Sequence, residues 1–397
     1  KAETTVLCIH DGTDLDYNGA AECDGLGVIG TNQTGAKSRG LHLHSTLSVT
    51  EEGLPLGVLS ARCEAPVSRS EDDERSSTQV PIEEKKTYCW VLAMRDCEAV
   101  AAEMPHTKLV QVMDREADIF ELFDEWRQGA RRTQLLIRAK HNRQTTAADT
   151  KLFDGVRATE PRLRLELHMD RQSARPKKSK QKPRPKRAER TAEMTLRYQQ
   201  VELPAPRHLD HKEPIPLWVV HLVEEQPPAG VAPVEWFLLT TMEITGTTPA
   251  ERLLERYCLR WRIEDWHRVL KSGCEIEELR NETAERLKRA VAIYMVIAWR
   301  VMLMTLLGRE VPDLPAQVLF TDIELEVLTA YARSRRDLKP PERLGDAVRL
   351  VARLGGYQGR KSDPPPGHQV LWIGYSQLRF MGLGYILGRQ SVDGGEA

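Results

Sequence analysis

Two short apolar runs set the first limits on the fold. VLCI, Val6–Ile9, leads straight into His10-Asp11-Gly12, and KLVQVM, Lys108–Met113, leads into Asp114. Each reads as a buried strand with an acid just past its last apolar residue, and the glycine after Asp11 marks a turn. Between them, Leu41–Val49 and Leu54–Arg62 alternate like strands and are joined at Glu51-Glu52-Gly53 as a hairpin. Residues 65–87 are a polar, charged connection, and Trp90–Met104 has helical periodicity. Glu116–Trp126 reads as a further helix and Gln134–Ala139 as a further strand. Strand, hairpin, helix, strand, helix, strand is the order of an α/β layer fold with a mixed sheet.

The texture changes near Lys151. Leu163–Met169, Met194–Val201, Leu217–Val223 and Trp236–Thr241 alternate as strands spaced by Pro-rich turns, which predicts an all-β insertion over 151–240. Between the first two lies Arg171–Arg190, with ten Lys or Arg and one acid, Glu189. That stretch reads either as a solvated hairpin tip or as an arm that tracks phosphates. Helical segments follow: 248–273, about 282–307, 321–333, 341–354 and an apolar last helix.

Composition narrows the classes of function. A net charge of −1 over 397 residues offers no global attraction to nucleic acid, so such a case has to come from local patches. Seven scattered cysteines without a C-x-x-C spacing argue against a disulfide framework or a zinc site and suit a reducing cytosol. The longest apolar run, Ala290–Gly308, carries Arg300 mid-span, as a buried helix does more readily than a membrane span.

Thr248–Gly273 holds the densest chemistry. Thr248 as cap, Pro249 at the first helical position and Glu251 completing a capping box predict where one helix starts; Gly273 predicts where it stops. On such a helix Tyr257, Arg260, Glu264 and Lys271 fall within an arc of about 60°. Cys258, Leu259, Ile263, Trp266, Val269 and Leu270 gather behind them. One acid set among a phenol, a guanidinium and an ammonium is either a solvated face or a site. The acids Asp11, Asp114 and Glu264, held on separate elements, can bind a pair of hard divalent cations through oxygen, and Asp14 and Asp16 compete with Asp11 for that role. His42 and His44, two apart on a strand, lack a third ligand in the sequence and read as structural. His267 lies beside the polar face.

These residues carry a family resemblance. Tyr257, Arg260, Glu264 and Lys271 fit Y-x2-R-x3-E-x6-K, which resembles the Y-R-E-K signature of transposon-five-like DDE transposases in the insertion-sequence-four family. VLCIHDGTDLDYNG (Val6–Gly19) is similar to the family's first-Asp segment, VMDREADIF (Val112–Phe120) to its second, and RYCLRWRIEDWHRVLKSG to that of the third acid. Ala352-Arg353-Leu354-Gly355-Gly356 is also similar.

The resemblance implies an RNase H-like core in two parts, 1–150 and 241–310, the second carrying the catalytic Glu. The β-strand insertion with its basic loop occupies 151–240, and a helical, dimerising region 311–397. It implies Asp11, Asp114 and Glu264 as catalytic, metal-binding acids, with two Mg²⁺ or Mn²⁺ per active site. Tyr257, Arg260 and Lys271 would hold phosphates, Trp236 would stack on a displaced base, and Arg138 and Lys140 would touch DNA. The implied activity is cut-and-paste transposition by a homodimer on paired transposon ends and target DNA. It would act in the bacterial cytoplasm, associated with the nucleoid, with no membrane partner. In this family a helical end-recognition domain precedes the first Asp, whereas ten residues precede Asp11 here. The alternative expectation is therefore a truncated regulator that dimerises with a full-length transposase and inhibits it.

Overall fold

The computed structural model describes residues 5–19, 22–31, 37–67, 73–76, 78–147, 150–169, 188–209, 211–360 and 362–393. Most of the basic stretch 171–190 lies outside them. In chain order the strands and helices begin with β1 (Thr5–Asp16), β2 (Gly27–Thr31), β3 (Lys37–Thr50), β4 (Pro55–Glu64), α1 (Tyr88–Glu103) and β5 (Lys108–Met113). There follow α2 (Phe120–Gln128), β6 (Gln134–Arg138), α3 (Leu152–Arg157), β7 (Leu163–Met169), β8 (Arg190–Leu203), β9 (Ile215–Glu224) and β10 (Glu235–Thr240). The rest is helical: α4 (Thr247–Cys258), α5 (Trp261–Arg268), α6 (Ala284–Glu310), α7 (Asp322–Arg333), α8 (Leu344–Leu354) and α9 (His368–Asp393). The chain divides into two compact bodies, one of residues 1–10 and 74–260, the other of 11–73 and 261–397.

The first body is built on a mixed sheet in the order β1-β5-β6-β10-β9-β8-β7. Thr5–Ile9 of β1 runs parallel to β5, and β5 parallel to β6; every pairing from β6 to β7 is antiparallel. A parallel neighbour cannot be reached by a tight turn, and α2 makes the crossover from β5 to β6. Trp90 and Met94 of α1 and Phe120 and Phe123 of α2 pack with Met113, Leu135, Ile137, Val219, Phe237 and Leu239 from the strands. Each such side chain, fully buried, stabilises by about 1.5–3 kcal/mol before entropy is charged against it. Buried Gln111 donates to Thr133 at 2.7 Å, and the Thr133 hydroxyl donates to Glu98 of α1 at 2.6 Å. The predicted insertion strands are present as β7 to β10. Because β10 pairs with β6, they extend this same sheet, and a short helix, α3, precedes them.

Two expectations are corrected. β1 does not end in a turn at Asp11; it runs on to Asp16. Leu15 and Tyr17, both buried, alternate there with the polar Asp14 and Asp16, a period of two that favours strand over turn. The single helix 248–273 is broken. Its start is Thr247, with Gly246 as cap and no side-chain cap bond, so Thr248 and Pro249 sit inside the first turn, where a missing N–H costs nothing. At its middle, Leu259 N–H is shared between the Glu255 and Arg256 carbonyls and Arg260 N–H reaches Tyr257 at 3.0 Å, which tightens the turn and ends α4. Past α5, Cys274 N–H reaches back five residues to the Val269 carbonyl at 2.7 Å, making Val269–Gly273 a π-turn. The common 60° face assumed an unbroken helix; Tyr257 and Arg260 belong to the first body, Glu264 and Lys271 to the second.

In the second body, β3 pairs with β2 through Lys37–Gly40 and with β4 through His42–Val49. The hairpin turn falls at the predicted Glu51-Glu52-Gly53, with Gly53 at φ +87°, a conformation that favours glycine. The helices pack around α6. This helix is long and apolar enough to cross a membrane. Yet it buries Leu287, Val291, Ala298, Val301 and Met302, donates Trp299 Nε1 to the Pro55 carbonyl at 2.9 Å, and pairs Arg300 with Glu324 of α7 at 2.8 Å. Those are the contacts of a core helix. Where α8 meets α9, the backbones touch: a Cβ on Gly374 would lie 1.8 Å from the Val351 carbonyl oxygen, and one on Gly355 2.0 Å from that of Val370. Gly374→Ala is expected to cost about 1–3 kcal/mol or more in chemical denaturation, because backbone rather than a flexible side chain must move. An unchanged midpoint would contradict this crossing.

Candidate functional site

In the first body Asp114 follows β5 directly and caps the turn Arg115–Ala117, its Oδ1 accepting the Glu116 N–H at 2.8 Å. It is half-buried. Tyr257, 3% exposed, stands edge-on to Trp236, ring centroids 5.5 Å apart at 68°. Arg138, at the end of β6, lies over Trp236 at 5.8 Å, donates to the Glu235 carbonyl at 3.5 Å and interacts electrostatically with Tyr257. Burial holds the Arg138 guanidinium below its usual pKa, and the neighbouring charges of Arg115 and Arg260 add to that. Burial likewise raises the Tyr257 phenol, offset by Arg260 and Arg138 and reinforced by Asp114. Arg260 is 9% exposed. Asp114, Arg138, Trp236, Tyr257 and Arg260 are thus one electrostatic neighbourhood. Trp236 is half-buried, with part of its surface taken by Arg138 and Tyr257. Lys140 is exposed on the loop after β6.

Sequence reasoning missed what holds that loop. Asp118, the last acid of the D-R-E-A-D segment, is 3% exposed and accepts the Lys140 and His141 N–H groups at 2.7 and 3.2 Å. It also pairs with the Arg143 guanidinium, which donates to the Asp118 carbonyl at 3.0 Å. Sequence alone does not separate it from Asp114. Asp118→Ala leaves Arg143 half-buried without its partner; a loss of about 3 kcal/mol in urea denaturation is expected, and a loss under about 0.5 kcal/mol would contradict the clamp.

In the second body Asp11 lies within β1, its Oδ1 accepting the Gly12 N–H at 2.9 Å. Its Oδ2 is 3.9 Å from Nδ1 of His267, three residues beyond Glu264 on α5. His267 Nε2 is 3.0 Å from the Ser45 hydroxyl. Asp14, the competitor for the metal role, is engaged by His42 Nδ1 at 2.7 Å, and its carbonyl takes Lys271 Nζ at 2.7 Å. Lys271 also pairs with Glu277 at 3.0 Å. The structure therefore brings Asp11, Glu264 and Lys271 into one body and gives His267 a place in it; only the i, i+3 spacing from Glu264 hinted at that.

The comparisons with known proteins bear on this arrangement. Residues 97–299 match the family model of the transposase DDE domain. The chain belongs to the DDE transposases. Residues 296–393 match the transposase Tn5 dimerisation domain, so the transposase is of the transposon-five-like, insertion-sequence-four kind. Its mixed sheet with flanking helices fits the RNase H-like fold of that family. A piggyBac transposase synaptic complex with hairpin DNA, solved by cryo-electron microscopy, is similar at TM-score 0.35 and 8% identity. That match covers 76% of this chain, which spans about half, 47%, of the piggyBac chain's length. DDE transposases use divalent metal ions, for which carboxylate oxygens are suitable donors.

Burial also makes acid stability predictable. His10 and His267 are both held neutral, their pKa values lowered from 6.5 to about 3, chiefly by burial. The unfolded chain takes up those protons first, so stability is complete above pH 6.5 and declines as pH falls from there toward 3. The slope is about 1.4 kcal/mol per pH unit for each histidine. Denaturation at pH 7.5, 6 and 5 should show the decline, and His10→Gln should make it shallower by one such increment. An unaltered slope would show that His10 is not a source of it.

Proposed function

We propose that this transposase cuts and joins DNA at the ends of its element, with Asp11, Asp114 and Glu264 as the three acids that hold divalent metal. The observation that carries the reading is the DDE-domain match over 97–299, which contains Asp114 and Glu264. Asp11 lies before that range and rests on the similarity of its own segment, together with its half-buried carboxylate beside His267. Two Mg²⁺ or Mn²⁺, when bound, would activate a water or a 3′-hydroxyl and stabilise the departing oxygen in phosphodiester displacement.

The chain's own residues do the holding. Arg138 and Arg260, partly withdrawn from water, grip phosphate oxygens more strongly than exposed cations do. The Tyr257 hydroxyl, protonated at neutral pH and with its pKa raised further by burial, donates to a phosphate rather than repelling it. Lys140 and Lys271 add point charges, and the exposed part of Trp236 offers a surface for an unstacked base. The reaction order is hydrolytic nicking, attack of the freed 3′-OH on the opposite strand, and strand transfer to target DNA: cut-and-paste transposition.

Dimer formation follows from the dimerisation domain. On α9, Phe380, Leu383 and Leu387 are 75, 55 and 65% exposed and recur at helical spacing, a stripe suited to a second copy. A double substitution, Phe380→Asp with Leu387→Asp, is expected to convert a dimer to monomer in sedimentation; a persisting dimer places the contact elsewhere. For the chemistry, Asp114→Asn and Glu264→Gln should each abolish metal-dependent cleavage of element-end DNA while DNA binding and thermal stability stay near wild type. Cleavage undiminished in either would sink the assignment of that acid. Cleavage without strand transfer in the wild type would make the protein a nuclease.

A further inference from the structure

The turn after α5 contains a carboxylate that serves two partners with one oxygen. Glu277 Oε1 accepts the Asp16 backbone N–H at 2.9 Å and the Lys271 ammonium at 3.0 Å. Lys271 Nζ donates in addition to the Asp14 carbonyl at 2.7 Å, and the Tyr17 hydroxyl to the Ile276 carbonyl at 3.2 Å. The end of β1, the π-turn and the turn Ile276–Glu278 are therefore fastened together around one lysine.

A lysine is ordinarily a poor choice for accurate positioning, since its long stem has many rotamers and its charge is a point. Here the difficulty is removed. An ammonium has three N–H groups; with two on fixed acceptors, tetrahedral geometry sets the direction of the third. The backbone leading to Glu277 is itself constrained. Glu275 sits at φ +52°, ψ +41°, in the left-handed region, and among the described residues only Arg131 is another non-glycine there. Its carboxylate accepts Gln369 Nε2 of α9 at 2.7 Å, which helps keep the backbone in that conformation. Conformations of this kind persist where the surroundings over-determine them, and they gather at functional sites.

We propose that Glu277 is a positioning residue for Lys271: its carboxylate fixes the ammonium so that one N–H points at a DNA phosphate in the transition state. The proposal rests on the reading of Lys271 as a phosphate ligand. Glu277 does not touch DNA. Its loss leaves a cation in the same neighbourhood but no longer aimed, so ground-state DNA affinity changes little while the cleavage rate falls.

The test is a double-mutant cycle on element-end DNA, measuring affinity and single-turnover cleavage separately, with Glu277→Gln beside Glu277→Ala. Gln keeps an acceptor for the Asp16 N–H and guards against an unfolded variant. Glu277→Ala is expected to slow cleavage about tenfold with affinity within about twofold, Glu277→Gln to fall between, and neither to slow Lys271→Ala further. Additive losses with Lys271→Ala, or a fall in affinity equal to the fall in rate, would overturn the positioning role while leaving Lys271 as a ligand. Wild-type cleavage by Lys271→Ala would overturn the ligand reading, and the proposal with it. A measurement without DNA reads the hold directly: acylation of Lys271 by an amine reagent, followed by peptide mass spectrometry. The rate should rise severalfold in Glu277→Ala, and an unchanged rate refutes the hold.

Discussion

The parallel pairing of β1 with β5 and of β5 with β6 is the constraint the first body is arranged around. Parallel strands lie inside a protein, so Val6, Leu7, Ile9, Leu109, Val110 and Val112 are buried and no charge interrupts them. Charge is expelled to the strand ends, and Asp114 arrives one residue after the last buried residue of β5. The same logic puts Arg138 at the end of β6. Helix α2 closes the crossover between these two strands, and Asp118, buried at its start, ties the chain leaving β6 back to the chain leaving β5. Packing thus fixes where the polar residues of that body emerge.

Burial lowers the affinity of Arg138 for its proton, and the charges of Arg115 and Arg260 nearby lower it further. Collecting like charges in a half-dry place opposes folding. The apolar core of the first body absorbs that cost, and an anion among the three guanidinium groups would relieve it. A surface built only for solubility would spread these charges apart. Here Arg138 instead stands beside both Tyr257 and Trp236.

The parts legible in the sequence are those where one local rule dominates. Continuous apolar runs and alternation located β5, the β3–β4 hairpin and the four insertion strands to within a few residues, because burial decides them. Misread elements are those where local signals compete. The aspartates of β1 look like turn formers, yet Leu15 and Tyr17 carry the strand onward. The capping signals at Thr248 and Pro249 do mark a helix start, but the cap is Gly246, two residues before the predicted Thr248. The break at Leu259–Arg260 has no proline or glycine to announce it. The roles of Asp118 and Glu277, and the neighbours of His267, were not legible for a different reason: each acts through partners distant in sequence, and a single chain offers no way to read which carboxylate will face which N–H.

The π-turn at Val269–Gly273 has a consequence for how this segment can vary. Such a turn is what an α-helix becomes when it absorbs one extra residue without losing its ends. Each residue rotates a helix by about 100°, so the surplus residue decides which way Lys271 faces. Removing Leu270, the residue just ahead of the lysine, would let ordinary α-helical bonds re-form and would keep the segment folded. It would also swing the lysine about a quarter-turn away from Asp14 and Glu277. The helix is indifferent to such a deletion, and the ammonium is not: here the length of the chain, more than the identity of any one residue, encodes direction.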